Sequence, residues 1–233
     1  MYSLPRKLLS EFIGTFAIVF VAAGSRCADQ YLRAAGQPGT GLLGQALAYG
    51  LATTAMMMAL SHVSGAHFNP AITAGLWVTK RLGTLHTVVY CLAQLLGAIA
   101  AAYALVALLP EPIWRPIALG ATDLASDFTR MQGMAWESVA AFFVVFVFFA
   151  ADSESRGPFR KSGGLAVGLA IAADVLLVQP FTGASMNPAR TFGPALVARH
   201  WINHGVYWIG PLFGGIIAAV VYDRLFAEDK TAA

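Results

Sequence analysis

"SGAHFNPAITAGLW" spans Ser64 to Trp77, and "TGASMNPARTFGPAL" spans Thr182 to Leu196. In each, a loop of small residues leads into Asn-Pro-Ala and then into a short apolar run. Proline directly after asparagine suits the first turn of a helix, where its missing N–H is not needed and its fixed φ helps the helix begin. Asn69 and Asn187 are then N-caps. From Asn69 to Thr79 is eleven residues, which at ~1.5 Å per residue reaches about 16 Å, half of a ~30 Å hydrocarbon core. The two motifs read as half-spans.

The rest of the chain supplies the bilayer. Its 233 residues are 58% hydrophobic and only 12% charged, with a mean hydropathy of +0.65, too apolar for an ordinary soluble domain. Six segments, about 8–25, 42–62, 84–109, 134–151, 163–180 and 203–222, approach the ~20 apolar residues a spanning helix needs. They are continuous and rich in Ala, Leu and Gly, not alternating, which favours helices over barrel strands. The first follows Arg6 and Lys7 but reads as a span and not a signal peptide, because no convincing small-residue cleavage site leads into a soluble domain and five more spans follow. The expected fold is all-α.

With a cytoplasmic N-terminus, the inside pieces hold Arg6, Lys7, Lys80, Arg81, Arg156, Arg160, Lys161, Arg224 and Lys230, nine basic residues; the outside pieces hold five, Arg26, Arg33, Arg115, Arg130 and Arg199. Both termini are therefore expected inside, in the cell membrane. The net charge of +3 reflects this asymmetry and gives no nucleic-acid footprint. Cys27 and Cys91 read as unpaired thiols without metal-ligand spacing.

The chain is also internally repeated. "SEFIGTFAIVFVAAG" at Ser10–Gly24 is answered by "WESVAAFFVVFVFFAA" at Trp136–Ala151, each with a glutamate opening an apolar helix. Asn69 is answered by Asn187, and Tyr90, Gly97 and Ile99 by Tyr207, Gly214 and Ile216. The reading is one channel domain over 1–233, with a first repeat at about 5–109, a connection at about 110–133 and a second repeat at about 134–225. Three spans per repeat is an odd number, so the second copy enters the membrane from the opposite face as an inverted repeat. One motif loop then dips from each side, and the half-helices meet N-terminus to N-terminus near the midplane. Backbone at that depth survives only if buried in protein or lining water. Two asparagine amides could donate to a passing water, while two positive dipole ends repel cations.

On these residues the chain resembles the major intrinsic proteins, the aquaporins and aquaglyceroporins, over about residues 5 to 225, in the manner of a bacterial-type aquaporin. The resemblance implies six spanning helices plus two half-helices, a pore lined by Asn69, Pro70, Ala71, Asn187, Pro188 and Ala189, and a homotetramer in the lipid bilayer. It also implies a constriction at Tyr49, Val175, Ala184 and Arg190. Strict water channels of the family have phenylalanine and histidine at the first two places. Valine and alanine here open the constriction, as in the family's nodulin-like channels, which pass small polyols and metalloid hydroxides. Thr191, Ala195, Tyr207 and Trp208 resemble the water channels instead, since glycerol facilitators have aspartate after the arginine. Water is the expected cargo, with hydrogen peroxide, urea or glycerol as further candidates and ions and protons excluded. Arg190 is expected to be the sole fixed cation at the constriction, and the Tyr49 hydroxyl to be able to bond a solute.

Four polar residues read as scaffold. Glu11 and Glu137 are placed to accept from unpaired N–H groups of the dipping loops; His67 is read as a loop brace in preference to a gate, and Gln94 as a bond across helices. Asp174 beside Val175 is an intramembrane carboxylate with two readings, a structural group paired with a Tyr, Ser or basic partner at a helix contact or subunit seam, or a group of the outer vestibule. No cofactor, metal set or enzyme constellation emerges: His62, His67, His86, His200 and His204 give no ligand set. The rival reading is a secondary transporter, which also uses inverted repeats and broken helices, but six spans in 233 residues leave little mass for two rocking bundles.

Overall fold

The computed structural model describes residues 2–153 and 163–227, and among these residues the regular structure is helical. Arg156, Arg160, Lys161 and Lys230, counted above for orientation, lie outside the described residues. Six helices are long and apolar enough to cross a membrane: α1 (Leu4–Ala34), α2 (Gly41–Ser64), α4 (Thr84–Leu108), α6 (Arg130–Ser153), α7 (Gly163–Thr182) and α9 (Val206–Leu225). Two short helices, α3 (Pro70–Val78) and α8 (Pro188–Ala198), follow the two asparagines. A single turn, α5 (Glu111–Trp114), runs into a 3-10 segment at Arg115–Gly120 in the connection between the halves.

The largest departure from the sequence reading is α1. A span over about 8–25 stops just before Arg26, whereas the helix continues to Ala34 because Arg26 and Asp29 both find partners inside the protein. Arg26 donates to backbone carbonyls of the connection, and Asp29 accepts from Arg33 and Gly41. A charge that is bonded internally does not end a membrane helix.

Packing repeats between the halves. α1 lies against α4 and α2, α6 against α9 and α7, and α2 against α7 across the halves; α8 is seated against α4, and α3 against α9. Helix approach depends on small residues, as expected where lipid removes most of the hydrophobic drive between helices. Gly97 and Gly214 show it at equivalent places. A Cβ on Gly97 would collide with the carbonyl of Phe12, and one on Gly214 with that of Ser138.

The spanning helices turn apolar side chains outward. α2 exposes Leu43, Leu47, Leu51 and Met58 and buries Ala46, Tyr49, Gly50, Thr53 and Met57. Where both faces are apolar, periodicity alone cannot say which faces inward; here small and polar residues mark the inside. Cys27 is buried and Cys91 half-buried, and neither is in a disulfide.

Candidate functional site

The two motif loops are bent in the same way. Gly65, Ala66 and Phe68 have φ of 91°, 53° and 51°, and Gly183, Ala184 and Met186 have φ of 81°, 48° and 55°. Left-handed backbone in Ala, Phe and Met is costly and persists only where the surroundings over-determine it. The surroundings are two carboxylates. Glu11 on α1 accepts from the backbone N–H of His67 at 3.0 Å and of Phe68 at 2.8 Å, and from Ser64 Oγ at 2.6 Å. Glu137 on α6 accepts from the N–H of Ser185 at 2.9 Å and of Met186 at 2.7 Å, and from Thr182 Oγ1 at 2.6 Å. Both glutamates are fully buried. Tyr90 and Tyr207 complete the pattern by donating to the carbonyls of Ser64 and Thr182.

Each loop delivers an asparagine in extended conformation at the start of a half-helix. Asn69 Oδ1 accepts from Ala71 N, and Asn187 Oδ1 from Ala189 N and Arg190 N. The side-chain nitrogens cross over. Asn69 Nδ2 donates to the carbonyl of Met186 at 2.9 Å, and Asn187 Nδ2 donates to the carbonyl of Phe68 at 2.9 Å. One N–H of each amide is therefore taken up by the opposite loop; the second of Asn69 remains, and the second of Asn187 lies beside the Tyr49 hydroxyl. Pro70 and Pro188 occupy the first helical turns, and Ala71 and Ala189 are fully buried.

A narrow internal cavity reaches both asparagines. Tyr49, His67, Phe68, Asn69 and Asn187 line it with the apolar side chains of Ile18, Met57, Ile72, Val144, Val167 and Ile171. Polar groups come from the motif loops and, through Tyr49 and Thr53, from α2; hydrocarbon makes up the rest of the wall. His67 Nδ1 lies 3.2 Å from Thr73 Oγ1, so this ring both braces the loop and walls the cavity. Gln94 Nε2 donates to Glu11 Oε2 at 2.8 Å and to Thr73 Oγ1 at 3.0 Å, tying α4 to α1 and α3.

Of the four constriction candidates, Tyr49 lines this cavity, whereas Val175, Ala184 and Arg190 do not. All four are buried, and Tyr49, Val175 and Ala184 belong to one apolar cluster. Two expectations change. The Tyr49 hydroxyl donates to the carbonyl of Ser185 at 3.2 Å, so toward a solute it can only accept. Arg190 Nη1 donates to the carbonyl of Gly120 at 2.9 Å, and a second arginine, Arg26, donates to the same oxygen at 3.2 Å. Arg190 is thus not alone. Arg26 went unnoticed as a site residue because a charge after an apolar run reads as the end of a span, and the residues that follow it, "CADQYL", include Asp29 and Gln30 and gave no sign that the helix continues.

Asp174 has no side-chain partner within the chain among the described residues. It is buried on α7, and its Oδ2 has no hydrogen-bond partner. Asp174 falls three residues after Ile171 and seven after Val167, both of which line the cavity, so it shares their helix stripe. On the outer connection, His200 Nε2 pairs with Asp123 Oδ2 at 2.9 Å and Trp208 Nε1 donates to His204 Nε2 at 3.0 Å. Among the described residues no group of His, Cys, Asp or Glu could hold a metal ion.

A model of the major intrinsic proteins matches residues 1–222. The chain belongs to the major intrinsic protein family. Aquaporin TIP4-4 of Zea mays is 44% identical over 95% of this chain and 86% of its own length. Probable aquaporin TIP3-2 of Arabidopsis thaliana is 40% identical over 94% of this chain and 83% of its own. The X-ray structure of the aquaglyceroporin from Plasmodium falciparum superposes with a TM-score of 0.83 over 96% of this chain and 97% of that one, at 20% sequence identity. That likeness shows the shared fold, an integral, multi-pass membrane fold of helical spans. The two halves differ at the carboxylates, since Gln94 on Glu11 stands where the second half has Pro211.

Proposed function

We propose that this major intrinsic protein is a passive transmembrane channel for water that also passes small uncharged solutes and excludes ions and protons. The observation that carries the reading is the reciprocal bonding of Asn69 and Asn187. Each amide has a second N–H to offer a passing oxygen, that of Asn187 beside the Tyr49 hydroxyl, at the point where the N-termini of α3 and α8 converge. A water arriving there meets two donors and two positive dipole ends, which orient its oxygen inward and disfavour a cation. The rest of the wall is mostly hydrocarbon, with the hydroxyls of Tyr49 and Thr53 on α2 as its polar groups.

Tyr49, Val175, Ala184 and Arg190 form the constriction in this reading, and Glu11, Glu137, His67 and Gln94 hold the loops. Two inverted repeats at about 5–109 and 134–225 form a single channel domain, assembled as a homotetramer with each protomer carrying its own pore. Both termini face the cytoplasm and the membrane is the cell membrane. The chain acts as a channel, not as an enzyme or a carrier.

Stopped-flow light scattering on proteoliposomes tests this. Osmotic shrinkage is expected to be faster than in empty vesicles, with low activation energy, no saturation and an intact pH gradient. Shrinkage no faster than in empty vesicles, or collapse of the pH gradient through the pore, would overturn it, and counterflow would restore the carrier.

A further inference from the structure

Arg26 and Arg190 are brought to one oxygen atom from opposite halves of the chain. Arg26, on α1, donates through Nη1 to the carbonyls of Gly120 at 3.2 Å and Ala121 at 3.1 Å. Arg190, in the first turn of α8, donates through Nη1 to Gly120 at 2.9 Å. Two guanidiniums therefore face each other across a single carbonyl. Their natural counter-ions are engaged elsewhere. Asp29, three residues after Arg26 on α1, accepts from Arg33 and Gly41, and Asp123, three residues after Gly120, is held by His200 and Asn203. Neither Arg26 nor Arg190 makes an ion pair among the described residues.

The strap that supplies the carbonyl is itself unusual. Ala118, Leu119 and Gly120 follow one another with φ of 47°, 56° and 70°, three left-handed residues in a row, two of them with side chains that disfavour that region. The strap presses on α1 so closely that a Cβ on Gly120 would lie 2.9 Å from the carbonyl oxygen of Ala23. A strained strap survives where its surroundings over-determine it. Here they include the two arginine donors.

We propose that Arg26 is a second cationic specificity determinant of the pore, acting with Arg190 through the shared Gly120 carbonyl. Its charge adds to the repulsion that a cation meets beside the buried Arg190. Its two bonds also hold the carbonyl on which the Arg190 guanidinium rests, so it acts as a positioning residue as well as a charge. The proposal rests on the channel reading above.

The test compares proteoliposomes of wild type, Arg190→Val, Arg190→Val/Arg26→Gln and Arg190→Val/Arg26→Lys. Sodium flux is read with a potential-sensitive dye and expressed relative to water flux in the same vesicles. Arg190→Val leaves Arg26 as the remaining cation of the pair, so adding Arg26→Gln is expected to raise the relative sodium leak about tenfold, and adding Arg26→Lys to leave it near the level of Arg190→Val. Equal leaks in Arg190→Val and Arg190→Val/Arg26→Gln would overturn the proposal. Should the double variants not assemble, Arg26→Gln alone is expected to raise the ratio of urea to water flux, and an unchanged ratio would overturn it equally. Absence of water flux in wild type would instead refute the channel reading.

Discussion

Glu11 is bonded to Gln94, and Glu137 has no such neighbour. Gln94 Nε2 donates to Glu11 Oε2 at 2.8 Å, whereas the equivalent place in the second half is Pro211, which has no side-chain donor. The two carboxylates otherwise bind their loops alike, so the pair offers a controlled comparison of one hydrogen bond inside one fold.

Glu11→Gln is accordingly expected to destabilise the protein more than Glu137→Gln. An amide has one acceptor oxygen, so either variant loses a bond to a loop N–H, each worth about 1.5–3 kcal/mol when the acceptor is charged. The Glu11 variant disturbs the contact with Gln94 as well. Thermal midpoints in detergent would check the order, and a larger fall for Glu137→Gln would contradict it.

Arg190→Val is expected to admit larger solutes and to weaken cation exclusion while the proposed tetramer survives. The Gly120 carbonyl keeps its bond from Arg26 in this variant, which is why assembly should persist. Urea and glycerol fluxes relative to water, with size-exclusion chromatography alongside, provide the measurement. An unchanged solute profile would place the constriction elsewhere.

Val175→His is expected to lower solute flux more than water flux. In the proposed constriction Val175 and Ala184 are small apolar side chains, and the Tyr49 hydroxyl can only accept because its proton is donated to the Ser185 carbonyl. Wild type should therefore pass hydrogen peroxide most readily, then urea, with glycerol slowest, in a graded series, because fit in a pocket discriminates by only about 1–3 kcal/mol per methylene. Imidazole would narrow the opening and add a donor. A ratio of solute to water flux that does not fall in Val175→His would remove Val175 from the filter.

Asp174→Asn is expected to raise the thermal midpoint. The wild-type carboxylate is buried with Oδ2 unpartnered, and an unmatched buried acceptor costs about 1–3 kcal/mol, more when charged. Asparagine has nearly the same shape without the charge. A lower midpoint would mean that the carboxylate has a stabilising partner, such as bound water or a neighbouring subunit.

The sequence by itself determined what is local or periodic. Asn followed by Pro specifies an N-cap and a first helical turn within three residues, and the bonds that form, Ala71 N to Asn69 Oδ1 and Ala189 N to Asn187 Oδ1, span two positions. The duplicated glutamates and tyrosines were legible for a similar reason: repetition shows that two places share one environment, and buried carboxylates need N–H donors. Tertiary structure alone decided the contacts between distant positions. The Tyr49 hydroxyl meets Ser185 across 136 positions, Arg26 meets Gly120 across 94, and Arg190 meets Gly120 across 70. No period or motif marks such pairs, because they depend on how α1, α2 and α8 dock against the loops. The same holds for where α1 ends. Composition ended the first span just before Arg26, but a carbonyl supplied by a strap nearly a hundred residues away lets Arg26 stay inside.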